Sequence, residues 1–101
     1  MSHKPDAIVM NEKDNVATTL RPLVQGQKAR VKTIPGELIV ELEEAVPSNH
    51  KFAIHDVRSG EHVLKFGEII GIATEDIRRG MHVHTRNLRS LHGRGNEQIS
   101  S

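Results

Sequence analysis

The close spacing of turn-forming residues constrains this chain more than any other feature. Asn11-Glu12-Lys13-Asp14-Asn15, Arg21-Pro22, Gln25-Gly26-Gln27, Ile34-Pro35-Gly36, Val46-Pro47-Ser48-Asn49, Ser59-Gly60, Gly67 and Gly80 interrupt it again and again. Turn signals at intervals of about 8–12 residues are the pattern of small barrels and sandwiches. The segments between them suit strands and are too short for most helices. An all-β domain is therefore expected.

The segments carry strand patterns. Residues 7–10 are a short apolar run, and residues 16–20 are rich in β-branched side chains. Over 28–33, Lys28, Arg30 and Lys32 alternate with Ala29, Val31 and Thr33, a period of two with one polar face. Residues 37–43 alternate likewise; their glutamates would suit a helix, but the Pro35-Gly36 opening and the short length favour a strand. Residues 51–57, 61–66, 69–73 and 81–85 complete the set. Gly71, inside an apolar strand, predicts a bulge or a close backbone approach. Residues 74–79 read as one helical turn, with Thr74 as N-cap. The organisation is a loose start over 1–13, one domain over 14–91, and a polar tail over 92–101 that is flexible or orders on a partner.

Composition narrows the chemistry. With two phenylalanines and no tyrosine or tryptophan, the core has to come from Val, Ile and Leu. The absence of cysteine excludes disulfides, zinc–thiolate sites and cysteine nucleophiles. The first 14 residues hold no apolar core of a signal peptide, and no apolar run is long enough to span a membrane. The chain reads as soluble and cytoplasmic. A net charge of +1 argues against a dedicated nucleic-acid binder. The charge is uneven, however: residues 77–96 hold five arginines, three histidines and no acid, whereas Glu37, Glu41, Glu43 and Glu44 cluster earlier. The basic end either meets an anionic molecule or acidic partner, or is simply a solvated face.

Few residues offer chemistry. In a strand, His82 and His84 share one face, Arg86 follows on it, and Val83 points to the core. Such a pair can ligate a metal or bind and protonate a carboxylic acid; it can also be surface histidine without a role. His50-Lys51 stands at a turn-to-strand junction, a frequent place for functional groups, and Lys65 has similar standing. Asp14-Asn15 reads as an Asx turn that satisfies its own backbone. His3, His55, His62 and His92 are given no role. There is no nucleophile–histidine–acid set and no phosphate loop. Gly93-Arg94-Gly95 hints at nucleic acid but has no stacking aromatics beside it.

Four pieces in order carry a resemblance: Asp14-Asn15-Val16-Ala17, Pro47-Ser48-Asn49-His50-Lys51-Phe52-Ala53, Val63-Leu64-Lys65-Phe66-Gly67-Glu68-Ile69-Ile70-Gly71, and Ile77-Arg78-Arg79-Gly80-Met81-His82-Val83-His84-Thr85-Arg86-Asn87-Leu88. Together they resemble the SAF domain of altronate and galactarate dehydratases and the small subunit of sulfolactate sulfo-lyase, over about residues 14–88. The resemblance implies a β-clip fold. It also implies β-elimination from a sugar acid or hydroxy acid, with hydroxide or sulfite leaving. Two positions depart from the pattern. Arg86 stands where many members have a third histidine of His-x-His-x-His, and Phe66 replaces the usual tyrosine.

By this resemblance the chain is the small subunit of a lyase, inactive without a separate large catalytic subunit. His82, His84 and His50 are the catalytic candidates, and His82 and His84 the candidate metal ligands. Lys51, Lys65, Arg86 and Asn87 are expected to bind substrate, with Lys51 near its carboxylate. A divalent metal, ferrous iron or manganese, shared with the large subunit, would stabilise the enediolate-like charge. An imidazole would protonate the leaving hydroxide. No nucleic acid or membrane partner is expected, and homo-oligomerisation stays open. The rival classes are a non-catalytic SAF-like binding module, as in ice-binding proteins and pilus or flagellar assembly factors, and an RNA-binding module using the C-terminal arginines.

Overall fold

The computed structural model describes residues 4–91. Every regular element among them is a strand: β1 (Ala7–Ile8), β2 (Val16–Thr19), β3 (Lys28–Lys32), β4 (Glu37–Glu41), β5 (Lys51–Ala53), β6 (His62–Lys65), β7 (Glu68–Ala73), β8 (His82–Val83) and β9 (Leu88–Ser90). The domain is all-β, as the turn spacing predicts. No helix among the described residues is long and apolar enough to cross a membrane. The expected tail, 92–101, lies outside the described residues.

The strands form a six-stranded sheet, in the order β4-β3-β1-β2-β5-β8, and a three-stranded sheet, β6-β7-β9. Two apolar clusters fill the interior. The first gathers Ala7, Val9, Ala17, Leu23, Ala29, Val31, Val40, Leu42, Val46, Phe52 and Ile54. The second gathers Val16, Ala53, Val57, Val63, Ala73, Ile77, Val83 and Leu88. Neighbouring residues of one strand enter different clusters: Phe52 and Ala53 on β5, Val16 and Ala17 on β2. This alternation makes β2 and β5 a wall between the cores.

Several local expectations change. The apolar run over 7–10 holds a strand, as its pattern predicts, inside the stretch expected to be a loose start: β1 pairs antiparallel with β2 and parallel with β3. Ala7 and Val9 are buried. Asp6 anchors the entry: its carboxylate accepts the Arg30 backbone N–H at 2.9 Å and pairs with Arg21. Only two residues of this strand are laddered, so its neighbours β2 and β3 hold it in place. Residues 74–79 do not form a helical turn; Ile77 instead bridges Val57, and the pair exchanges backbone bonds of 2.7 and 2.8 Å. The strand expected over 81–85 is shorter, because the chain turns after Val83. Strand β9 follows that turn and had no forecast. At Gly71 the expected close approach is present, since a Cβ there would lie 2.6 Å from the Arg89 carbonyl oxygen.

Asp14 and Asn15 do more than turn the chain. Asp14 is buried, and its two carboxylate oxygens accept the N–H groups of Phe66 and Gly67 at 2.9 and 2.8 Å. Asn15 accepts the Leu64 N–H at 2.8 Å and donates to the His62 carbonyl at 3.0 Å. The two residues thus clip the β6–β7 hairpin to the large sheet. The hairpin turn, Phe66-Gly67, has positive φ at both residues (56° and 78°), as a two-residue turn between twisted strands requires. A phenylalanine in that region is strained, and the Asp14 bonds hold it there. We expect Asp14→Ala to lower unfolding stability by about 1–3 kcal/mol, because two N–H groups lose a buried acceptor. Urea midpoints would show it, with Asp14→Asn, which keeps one acceptor oxygen, in between.

Candidate functional site

Three histidines from two parts of the chain converge on one face. His50 ends the turn after β4 and leads directly into β5. Thr19, buried on β2, fixes it: the Thr19 hydroxyl donates to the Pro47 carbonyl at 2.6 Å and accepts the His50 N–H at 3.1 Å. The Thr19 N–H donates to the His50 carbonyl at 2.8 Å. His82 on β8 lies opposite Phe52 of β5, which brings its ring alongside that of His50. His84 stands just beyond β8, and Val83 is buried on the other side, as the alternation predicts.

The rings are close. His50 Nδ1 and His82 Nε2 are 2.9 Å apart and share a hydrogen bond. Centroid separations are 5.1 Å for His50–His82, 4.9 Å for His50–His84 and 5.3 Å for His82–His84, the last pair stacked at 9°. One nitrogen from each ring lies within 4.8 Å of the others. His50 and His82 are half-buried and His84 is exposed. Burial first, then the neighbouring His50 and His84 rings, keeps the His82 imidazole below its ordinary value of 6.5. It is therefore neutral at pH 7, the form that offers a lone pair.

The loop after β8 is bound tightly to its own backbone. Asn87 is fully buried; its amide donates to the His82 carbonyl at 2.9 Å and accepts the His84 N–H at 3.0 Å. Both ends of this side chain are thus engaged within the chain, so it is a clamp on the two histidines and not the expected substrate donor. Arg86 does not follow the histidines on their face as expected. Its guanidinium lies on Glu44, at 2.7 Å. Glu44 Oε2 also accepts the His82 N–H at 2.9 Å. The Arg86 hydrogen bond holds the Glu44 carboxyl below the usual carboxylate range.

The lysines lie elsewhere. Lys51 pairs with Val83, whose side chain enters the second core, whereas Phe52 and its neighbour His82 face the first. Lys51 is half-buried, and burial, followed by the nearby Lys65 ammonium, lowers its pKa. Lys65 Nζ sits 5.1 Å from the exposed Phe66 ring centroid. The sequence grouped lysines and histidines into one site; the structure puts Lys51 on the face of β5 away from His82, and Lys65 near Lys51 on β6. The acidic cluster and the basic end find each other within the chain: Arg78 pairs with Glu43 at 2.6 Å, and Arg86 with Glu44. Thr19 and Glu44, which hold His50 and His82, had no sequence signal, since their partners lie 31 and 38 residues away.

A family model described as the altronate/galactarate dehydratase SAF domain matches residues 5–91. Altronate dehydratase of Escherichia coli (strain K12) is 40% identical over 77 residues, which cover 76% of this chain and 15% of that protein. Galactarate dehydratase (L-threo-forming) of the same organism is 34% identical over 73 residues, covering 72% of this chain and 13% of the relative. The (2R)-sulfolactate sulfo-lyase subunit alpha of Chromohalobacter salexigens is 40% identical over 50 residues, covering 50% of this chain and 53% of the relative. The chain thus spans a small fraction of the dehydratases and about half of the sulfo-lyase subunit.

The His82 environment predicts a pH signature. The native state resists protonation of His82, whereas the unfolded chain accepts the proton as pH falls through 6.5. The resulting penalty on stability is absent above that pH and grows below it. In metal-free protein, His82→Asn should therefore lose less stability than the parent chain between about pH 7.5 and about pH 5.5. Urea midpoints at the two pH values check this.

Proposed function

Because this chain belongs to the altronate/galactarate dehydratase SAF-domain family, we propose that it is the small subunit of a sugar-acid or hydroxy-acid lyase, supporting β-elimination together with a large catalytic chain. The observation that carries this reading is the convergence of His50, His82 and His84, with nitrogens within 4.8 Å of one another. The likeness to a protein named as a subunit of a lyase supports the two-chain arrangement.

The three residues fit a divalent cation. Neutral imidazoles are ligands for first-row metals, and burial keeps His82 neutral. His50, His82 and His84 would hold the ion, ferrous iron or manganese. Bound there, it would supply Lewis acidity toward the charge that develops on the substrate carboxylate as the neighbouring proton leaves. With Arg86 at the position where many members have a third histidine of His-x-His-x-His, the third nitrogen of this cluster is that of His50, in the turn that leads into β5.

This chain's other groups have smaller parts. His84 is the exposed imidazole of the three, the ligand a substrate would approach; an imidazole bound to the ion is too weak an acid to protonate the departing hydroxide, so that proton comes from the large chain. Lys51 and Lys65 supply positive charge away from the histidine face, where a carboxylate of the large chain can lie. Lys51, partly desolvated, interacts more strongly with an anion there than a solvated lysine does. Elimination of sulfite instead of hydroxide is the second reading. It is favoured by the larger share of the sulfo-lyase subunit that this chain covers, 53%.

Two measurements test the proposal. Affinity purification from the native host should bring down a large lyase chain; recovery of this chain alone under gentle conditions would leave a non-catalytic binding module. His82→Ala and His84→Ala should each weaken divalent-metal binding by roughly 10–100-fold or more, and collapse the activity of the assembled enzyme without unfolding the domain. Unchanged metal binding and full activity in both variants would refute the site.

A further inference from the structure

Strand β8 is an end strand of the large sheet, with β5 on one side. Its flanks bond inward: the Ala53 N–H donates to the Met81 carbonyl at 3.0 Å, and the Gly80 N–H donates to the Ala53 carbonyl at 2.8 Å. By the alternation of an antiparallel ladder, the N–H and C=O of His82 then point outward, where a further strand would lie. Side chains take that place. Glu44 accepts the His82 N–H at 2.9 Å, Asn87 donates to the His82 carbonyl at 2.9 Å, and Arg86 lies 3.4 Å from the same carbonyl.

We propose that Glu44 is a positioning residue: its carboxylate closes the outer edge of β8 and sets where His82 stands in the histidine cluster. The consequence for metal affinity rests on reading that cluster as a metal site. Glu44 is carried to the edge by its own segment. The Glu43 N–H donates to the Gly80 carbonyl at 2.9 Å, and Glu43 also pairs with Arg78. Gly80 permits this approach, because a Cβ there would lie 2.3 Å from the Glu41 carbonyl oxygen, and its φ is +92°. A two-residue strand makes few ladder bonds of its own. A charge-assisted bond from Glu44 is about twice as strong as a neutral one, and it acts on the backbone of the candidate ligand itself. Arg86 holds the carboxylate from the far side at 2.7 Å, so the oxygen that receives the His82 N–H is fixed in place. Groups that orient a metal ligand in this way tune the metal without touching it.

The test uses the full chain, with Co2+ alone as the metal probe and amide hydrogen exchange on the metal-free protein as the second readout. In Glu44→Ala, we expect His82 N–H exchange to speed up by about tenfold or more and Co2+ affinity to fall by about 10–100-fold. Glu44→Gln keeps an acceptor oxygen and should restore most of both. Arg30→Ala breaks the Arg30–Glu37 ion pair at the opposite end of the sheet from β8 and should change neither. Glu44→Asp, which draws the oxygens back by one methylene, takes the place of the alanine variant should that one not fold. Parental exchange at His82 in Glu44→Ala would overturn the proposal, as would an equal loss in Arg30→Ala. If the parent chain takes up no Co2+, the metal reading falls, and His82 exchange alone then decides the positioning role.

Discussion

The histidine face depends on the pairing of one three-residue strand. β5 is held between β2 and β8, and its central residue, Phe52, is completely buried. In a chain with two aromatic residues, this is the largest side chain in the first core. Removing a buried phenylalanine typically costs about 3–5 kcal/mol, a large part of the stability of a small domain. The same strand sets the site. His50 enters it, His82 faces Phe52 across it, and Ala53 closes the second core behind it. Burial of Phe52 and convergence of the imidazoles are therefore one structural event.

Around this strand, polar side chains do work that longer strands would do with backbone bonds. Asp14 and Asn15 join the small sheet to the large one, Thr19 holds the His50 turn, and Asn87 and Glu44 finish the edge of β8. Each caps a backbone group that short strands leave without a ladder partner. The exposed ion pairs contribute little energy individually, about 0–1 kcal/mol. Their effect is positional: Glu43–Arg78 and Glu44–Arg86 fasten the segment after β4 against the loops that flank β8. The basic stretch that suggested an anionic partner thus has part of its charge answered inside the domain.

Membership of the SAF-domain family and the three-histidine face fit together in a particular way. Arg86 stands at a position where a histidine is usual, and the third nitrogen of the cluster is that of His50, 32 residues before His82 in the turn that leads into β5. Arg86 has a different task, bracing the carboxylate that holds His82. Lys51 faces the other side of β5 with Lys65 nearby, so the domain presents two chemically distinct surfaces, one of imidazole nitrogens and one of lysine side chains.

Much of this was legible in the sequence, and the reason is locality. Turn residues act over three or four positions, and side-chain alternation over two, so the all-β class, the β2, β3, β4 and β7 segments and the burial of Val83 followed from short windows. His50, His82 and His84 could be singled out as candidates by residue type and motif. What local pattern could not show was partnership. β1 takes its place only through β2 and β3, and residues 74–79 lose their helical appearance to a bridge with Val57. Asn87 and Arg86 are turned inward by backbone and carboxylate groups. That three imidazoles share a face, that Glu44 stands behind one of them, and that Lys51 looks the other way were decided only by tertiary pairing, because the groups that meet are some thirty to forty residues apart and only the assembled sheet brings them together.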